Sequence, residues 1–480
     1  MIKAVVVALG YGLVLVPLFL YGVNGYVLLY WRRKWRAPGR AEPSRWPAVT
    51  VQIPIYNERD VVSRVVEAAG RLRYPGPLDI QVLDDSTDDT TAIAAAAIAR
   101  LRARGTRATH VRRGHREGFK AGALAHGLAL SDAELFLILD ADFVPDPEFL
   151  VRAVPLFCSD DVACVQTRWG HLNRAATGFT RGQALGVDVH FAIEQRARAA
   201  GSGTVAFNGT GGVWRRTALE DAGGWSADTL TEDLDLSYRA WLRGWRLVYA
   251  DDITCPAEIP EQMLAFKAQQ RRWACGSTAT ARKLLGPIWR ADVGLGAKLQ
   301  ATFHLTHYAV HPLILLSAAL ALPFGLIAPP GASLWTLLPA LAMATGGPMG
   351  MALAAASESE PRWSLRLRDV GSVVLLGTGL ALSNSIAVLR GLSNKSAEFR
   401  RTPKGGATSS YRAPPDLLGL AELGCAAACL GLAGWLAHRG IVTMVPFLLL
   451  YAAGLGHVGW ATVREVARQR PETIAASREA

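Results

Sequence analysis

Long apolar runs at both ends of the sequence, separated by a stretch in which charge is spread throughout, constrain this chain more than any single motif. The first run extends from Ala4 to Trp31 and ends in Tyr26, Tyr30 and Trp31 ahead of further arginines, in WRRKWR. It exceeds the roughly 20 residues needed to cross a bilayer, and an aromatic belt backed by arginines marks a cytoplasmic edge. Only Lys3 precedes the run and no small-residue cleavage site follows, so a retained anchor is expected and not a cleaved signal. From Arg32 to about Lys298 no segment is apolar enough to span. Apolar runs return at about Leu299 to Ile327, Leu334 to Ala356, Val370 to Leu389, Leu417 to Leu436 and Ile441 to Val463.

Charge decides how many of these cross. PRWSLRLRD (Pro361 to Asp369), NKSAEFRRTPKGG (Asn394 to Gly406) and the tail ending VREVARQR are all basic. They share the cytoplasmic side only if Val370 to Leu389, which carries Ser383, Asn384 and Ser385, lies in the interface or re-enters it. Five crossings plus one interfacial segment are therefore expected. The chain divides into an anchor (1–31), a cytoplasmic domain (46–260), amphipathic interface helices (261–298), a membrane region (299–465) and a cytoplasmic tail (466–480). The formal charge of +11 (51 basic and 40 acidic residues) collects largely at membrane edges and no reading motif accompanies it, so nucleic acid is excluded as a partner. Half of the residues are hydrophobic, which excludes a disordered chain. The six cysteines show no CxxC and are read as reduced or membrane-buried, not as disulfides or zinc ligands.

Between Val49 and Asp142 strand and helix alternate. VTVQIPI (Val49 to Ile55), DIQVL (Asp79 to Leu83), a short strand at Ala108 to Arg112 and ELFLIL (Glu134 to Leu139) are expected strands. Helices are expected over YNERDVVSRVVEAAGRL, after DDSTDDT, and from about Lys120 to Leu130. This alternation predicts a Rossmann-like α/β domain, whose ligand sits beyond the carboxyl ends of the strands. Polar clusters follow three strands there: Asn57-Glu58, Asp84-Asp85-Ser86, and Asp140 with Asp142. Neither GxGxxG after the first strand nor GxxxxGK[ST] is present, which disfavours nicotinamide, flavin and P-loop enzymes. Strand ends that carry carboxylates need a cation to hold an anionic ligand.

Each motif has a bland alternative. Asp140 and Asp142 point the same way at a strand end and suit Mg²⁺ or Mn²⁺ on a diphosphate, although DxD alone is often only a turn. Asp84-Asp85 could contact a nucleoside or cap a helix. Thr231-Glu232-Asp233 reads as an N-cap with Asp233 in the first helical turn, either a general base or dipole complementarity. The basic stretch holding Gln269, Arg272 and Trp273 fits an amphipathic helix on anionic lipid, and equally a site where Arg272 holds diphosphate and Trp273 faces a sugar ring.

In order along the chain, QIPIYNE, VLDDSTDDT, KAGAL, DADF, FNGTGGVWRR, TEDLDLSYR and QQRRW resemble the membrane-embedded family 2 glycosyltransferases, the group of the cellulose, chitin and hyaluronan synthases. The wording of QIPIYNE, QVLDDSTDDT, VQTRWGHLNR, FNGTGGVWRR and TLTEDLDLSYRAWLRGW is most similar to the cellulose-synthase-like A proteins, which make β-1,4-mannan or glucomannan from GDP-mannose. The resemblance covers about Val49 to Trp273. It implies a GT-A domain joined to a helical membrane region. It implies nucleotide-sugar binding by Asn57, Glu58, Asp84, Asp85, Lys120, Asp140 and Arg272, and metal binding by Asp140 and Asp142. It makes Asp233 the general base, and Asn208, Gly209, Thr210, Glu232, Gln269 and Trp273 the acceptor site. AEFRRTPKGG resembles the gating loop of the polymer synthases, with Phe399, Thr402 and Lys404 matching and Arg401 in the valine position; a cytoplasmic loop over 391–415 is expected. No cyclic-dinucleotide sensor is expected after the last apolar run.

Outside the resemblance, His304, His307 and His311 are expected on one helical face just inside the membrane, lining the start of a polysaccharide path or bonding between helices, with a metal site less favoured. The leading expectation is a processive, inverting, metal-dependent enzyme extending a β-linked polysaccharide from GDP-mannose across its own membrane helices, in the plasma (inner) membrane if bacterial. UDP-glucose is the other donor considered, and a lipid acceptor with single transfer is the rival, as in ceramide glucosyltransferases. A nucleotide-sugar sensor without catalysis is the rival from another class.

Overall fold

The computed structural model describes residues 2–329, 338–393 and 416–479. Its centre is a seven-stranded sheet of β1 (Val49–Ile55), β2 (Leu78–Asp84), β3 (Ala108–Arg112), β4 (Leu135–Ile138), β5 (Val162–His171), β6 (Gly212–Arg215) and β7 (Arg246–Ala257), in the order β3-β2-β1-β4-β6-β5-β7. β1 runs parallel to β2 and β4, and β2 to β3, so three carboxyl ends rich in acids open on one edge. β6 is antiparallel to both β4 and β5 and joins the second half to the first. Side chains alternate between two cores: Leu135 and Leu137 of β4 pack into one, Phe136 and Ile138 into the other. Burial on both faces, which takes in Thr50 and Gln52, is why β1 is rich in apolar residues.

Helix boundaries depart from expectation where the acid clusters lie. The first expected helix begins only at Val62, because Tyr56 to Asp60 turn away from the strand and Asn57 has φ of +55°. DDST does not cap a helix; the Asp84 carboxylate accepts from the Ser86 amide at 2.8 Å, and the helix starts at Thr90. Thr231 does sit at the N-cap position of Glu232–Leu242, but its hydroxyl meets Thr280 Oγ1 at 3.1 Å and does not cap.

Among the described residues four helices are long and apolar enough to cross a membrane: Gly10–Lys34, Leu295–Ile327, Leu418–His438 and Val442–Gln469. The segment expected in the interface is two helices, Trp363–Gly379 and Ala381–Leu392, bent by 50°, as in a broken span or a re-entrant loop. The expected crossing over Leu334 to Ala356 falls on Leu338–Ser359, which is not among the four. It packs along the N-terminal helix Ile2–Lys34, where a β-carbon on Gly22 would stand 2.3 Å from Ala344 Cα. Small residues permit that approach of two membrane helices. The gating-like loop, with Phe399, Thr402 and Lys404, lies outside the described residues.

Candidate active site

The carboxyl ends of β1, β2 and β4 open into a cavity of about 550 Å³ that continues beneath the helix Met263–Arg290 to the membrane helices. Asp85, Lys120, Asp140, Asp142, Asn208, Gly209, Glu232 and Asp233 line its sheet end. Gln269, Arg272 and Trp273 line it from the Met263–Arg290 helix, and Glu58 from the loop after β1. Asn57, Asp84 and Thr210 stand behind this wall. Asn57 clamps two strand ends by accepting from the Thr87 amide at 2.9 Å and donating to Thr87 Oγ1 at 3.2 Å. Thr210 accepts from the Asp140 amide at 2.8 Å and so fixes the first DxD carboxylate from below.

The acids of VLDD separate in role. Burial would raise the Asp84 carboxyl, but bonds from His110 and Ser86 outweigh it and hold it down at about 2. Asp85 is gripped at both oxygens by Arg113, at 2.8 and 2.5 Å. Arg113 and His110 were not singled out from sequence, because nothing local ties β3 and its loop to the end of β2. Arg116 was missed for the same reason; its guanidinium lies 3.4 Å from the Tyr56 ring centre at the same end of the cavity.

Lys120 is the hub. Its ammonium donates to Asp140 Oδ1 at 2.7 Å and to the Gly209 carbonyl at 2.8 Å, with Glu232 at 3.7 Å. Burial opposes its charge, but Asp140 and Glu232 raise its pKa above the ordinary value. Asp233 is pushed up to about 7, first by burial and then by Glu232, while Lys120 pulls it down. The Leu234 amide donates to Asp233 Oδ1 at 2.8 Å and fixes its orientation. A β-carbon on Gly276 would stand 2.9 Å from the Thr231 amide nitrogen, so the helix bearing Gln269, Arg272 and Trp273 presses directly on the Thr231 turn.

At the membrane end the wall is His190, His304, His307, Tyr308 and His311. His304 meets the Tyr238 hydroxyl at 2.9 Å, and His311 meets Asn384 Nδ2 at 3.0 Å. The helix breaks into a 3₁₀ turn at His307–Ala309, so the three histidines do not share one regular helical face. Among the described residues no group of three or more His, Cys, Asp or Glu side chains could hold a metal ion.

Residues 47–276 match the family described as "Glycosyltransferase like family 2". This region is a glycosyltransferase family 2 domain. A rice protein named "Probable glucomannan 4-beta-mannosyltransferase 7" is 40% identical over 297 residues, 59% of this chain and 51% of the relative. "Glucomannan 4-beta-mannosyltransferase 2" of Arabidopsis thaliana is 42% identical over 253 residues, 52% of this chain and 47% of the relative. The chain spans about half the length of these curated relatives. A mannosyltransferase from Pyrobaculum calidifontis, solved in complex with GDP-Man and Mn2+, superposes with a TM-score of 0.52 at 20% identity, covering 78% of this chain and 98% of that one. At that identity the likeness establishes the GT-A fold of the family 2 domain.

A divalent ion fits the donor set of this domain. Asp140 and Asp142 offer two hard carboxylates on one cavity wall, and no third metal-binding side chain joins them among the described residues. Mg²⁺ commonly takes one or two carboxylates and completes its shell with substrate phosphates.

Proposed function

We propose that this chain is an inverting, processive β-mannosyltransferase that uses GDP-mannose and extends β-mannan or glucomannan into its own membrane helices. One observation carries the reading: a single cavity runs from the Asp140, Asp142 and Lys120 cluster, past Asp233, to a wall of histidines and Tyr308 on the membrane helices. A soluble acceptor would not need that second half. The names of the similar plant proteins favour mannose over glucose.

Asp85 with its Arg113 brace meets the nucleoside. Asp140 and Asp142 would hold Mg²⁺ or Mn²⁺, which would supply neutralisation of the diphosphate charge. Arg272 reaches the same diphosphate from the membrane side. Asp233 takes the proton of the acceptor hydroxyl, and its raised pKa matches a base working near neutrality. Burial and Glu232 raise that value, and Lys120 lowers it. Trp273 and Gln269 hold the terminal acceptor sugar, and Asn208 and Gly209 close the opposite side.

The test offers GDP-mannose, GDP-glucose, UDP-glucose and UDP-N-acetylglucosamine separately to purified protein with Mn²⁺ or Mg²⁺, recording nucleotide release and product size. High-molecular-weight product from GDP-mannose is expected. Release coupled only to a small lipid-soluble product replaces the polymer reading with single transfer to a lipid.

A further inference from the structure

The cavity wall holds one stretch of unusual backbone. Val189–Gln195 is a seven-residue π-helix, set between the α-helices Gly178–Asp188 and Arg196–Ala200. Such geometry makes up well under 1% of residues in proteins and recurs at functional sites. Here its i→i+5 bonding has a visible consequence. Residues five apart in an α-helix are turned by about 140° from each other, since each residue advances about 100°. In the π segment, His190 and Gln195 reach the same side chain. Gln195 Nε2 donates to Asn208 Oδ1 at 2.8 Å, and Asn208 Nδ2 donates to His190 Nε2 at 3.0 Å.

The proton arrangement is set by the next bonds. With Nε2 accepting, His190 carries its proton on Nδ1, which faces Glu194 Oε2 at 3.1 Å. Arg198 donates to the same oxygen at 2.8 Å. Gln195 and Arg198 are buried, at 0% and 4% exposure, while the His190 and Glu194 side chains keep about a quarter of their surface. Downstream, Asn208 is followed by Gly209, whose carbonyl accepts from Lys120 and whose Cα faces Asp233.

We propose that the π-helix is a clamp: His190, Gln195 and, through His190, Glu194 are positioning residues that hold the Asn208 amide in one orientation toward the acceptor sugar and set the Asn208-Gly209 turn against Asp233. This rests on the glycosyltransferase reading of the cavity but not on which sugar is used. The clamp is what a regular α-helix could not supply, because His190 or Gln195 would face away.

The test compares His190→Phe, which keeps a flat ring but cannot accept, with His190→Gln, whose carbonyl can. Both are made in the full-length chain and assayed with whichever nucleotide sugar the parent turns over. Transfer by His190→Phe is expected to fall about 10- to 100-fold, the cost of a small misplacement, through a lower kcat or a raised acceptor KM. Donor Kd stays unchanged, and His190→Gln recovers most of the loss. Amide hydrogen exchange at residues 207–210 quickens in His190→Phe, a readout that needs no turnover. Parent-like transfer and exchange in His190→Phe overturns the clamp, as does an equal loss in both variants. Should His190→Phe fail to fold, His190→Ala is read the same way. Absence of turnover by the parent with every donor defeats the functional reading instead and leaves the exchange result to judge the clamp.

Discussion

A β-carbon on Gly209 would lie 2.9 Å from Asp233 Oδ2 and 3.4 Å from Lys120 Nζ. Gly209 also has φ of +85°, a conformation that other residues adopt only with strain. The Asp233 carboxylate and the Lys120 ammonium are thus packed against bare backbone. Gly209→Ala is expected to displace the Asp233 carboxylate and lower transfer by about 100-fold, with nucleotide binding less affected. Steady-state kinetics beside a GDP binding titration decide it; equal losses in both would place the damage in the fold and not at the base.

Asp233 sets the pH dependence. A carboxyl pushed up to about 7 by burial and by Glu232 is protonated, and idle as a base, below that pH. Transfer is therefore expected to rise with pH through about 7 and to level off above it. Lys120 lowers this value, so Lys120→Met should move the rising limb to higher pH. Asp233→Asn should cost about 10²- to 10⁴-fold. For stability the sign is opposite: folded Asp233 keeps its proton where the unfolded carboxyl, at 3.8, has lost it. Stability from this group is present below the unfolded value and is lost as pH rises toward 7. Asp233→Asn should then unfold at higher temperature than the parent at pH 8, and at about the same temperature near pH 4.

Metal removal separates the two DxD carboxylates from Lys120. Treatment with EDTA should abolish nucleotide-sugar binding, and Mn²⁺ or Mg²⁺ should restore it. Asp142→Asn should need a metal concentration about 10-fold or more higher for half-maximal turnover. Turnover that persists after EDTA would assign diphosphate neutralisation to Lys120 and Arg272 alone.

The first half of the sheet was legible because β1, β2 and β4 are rich in apolar residues and are followed by polar clusters that hold acids. β1 and β3 fall where the residues predict them, and β2 and β4 within one residue at each end. β5, β6 and β7 were not read from the sequence. β6 is four residues, GVWR, held by pairing to β4 and β5 from distant parts of the chain, and strand formation of that kind depends on neighbours more than on propensity. At the site, acids that follow strands were visible, but the partners that divide their work were not. Arg113 and His110 separate Asp85 from Asp84 only once β3 lies beside β2. The π-helix over VHFAIEQ was equally hidden, since its widened turn is a matter of backbone bonding that no residue pattern there announces.

The helix that carries Gln269, Arg272 and Trp273 is anchored by a buried ion cluster. Lys267, fully buried, donates to Glu422 Oε2 at 2.9 Å and lies 3.2 Å from Asp416, which also meets Arg271 at 2.7 Å. Glu422 sits on Leu418–His438, one of the helices able to span the membrane, and is itself fully buried. Removing one partner leaves the other charge stranded, which typically costs about 3–5 kcal/mol, whereas replacing both with apolar residues is often neutral. Lys267→Met should therefore destabilise the protein strongly, because it strands Glu422, whereas Glu422→Ala leaves Lys267 still paired with Asp416; Glu422→Met added to Lys267→Met should recover most of the loss in thermal unfolding. Activity should follow a different course. Lys267 lies only two residues before Gln269, and the double variant loses one of the charge contacts, beside Arg271–Asp416, that register this helix against Leu418–His438. Its transfer rate should stay below the parent's even where its unfolding temperature matches. A double variant with both restored would reduce the cluster to a stability device with no hold on the acceptor end of the site.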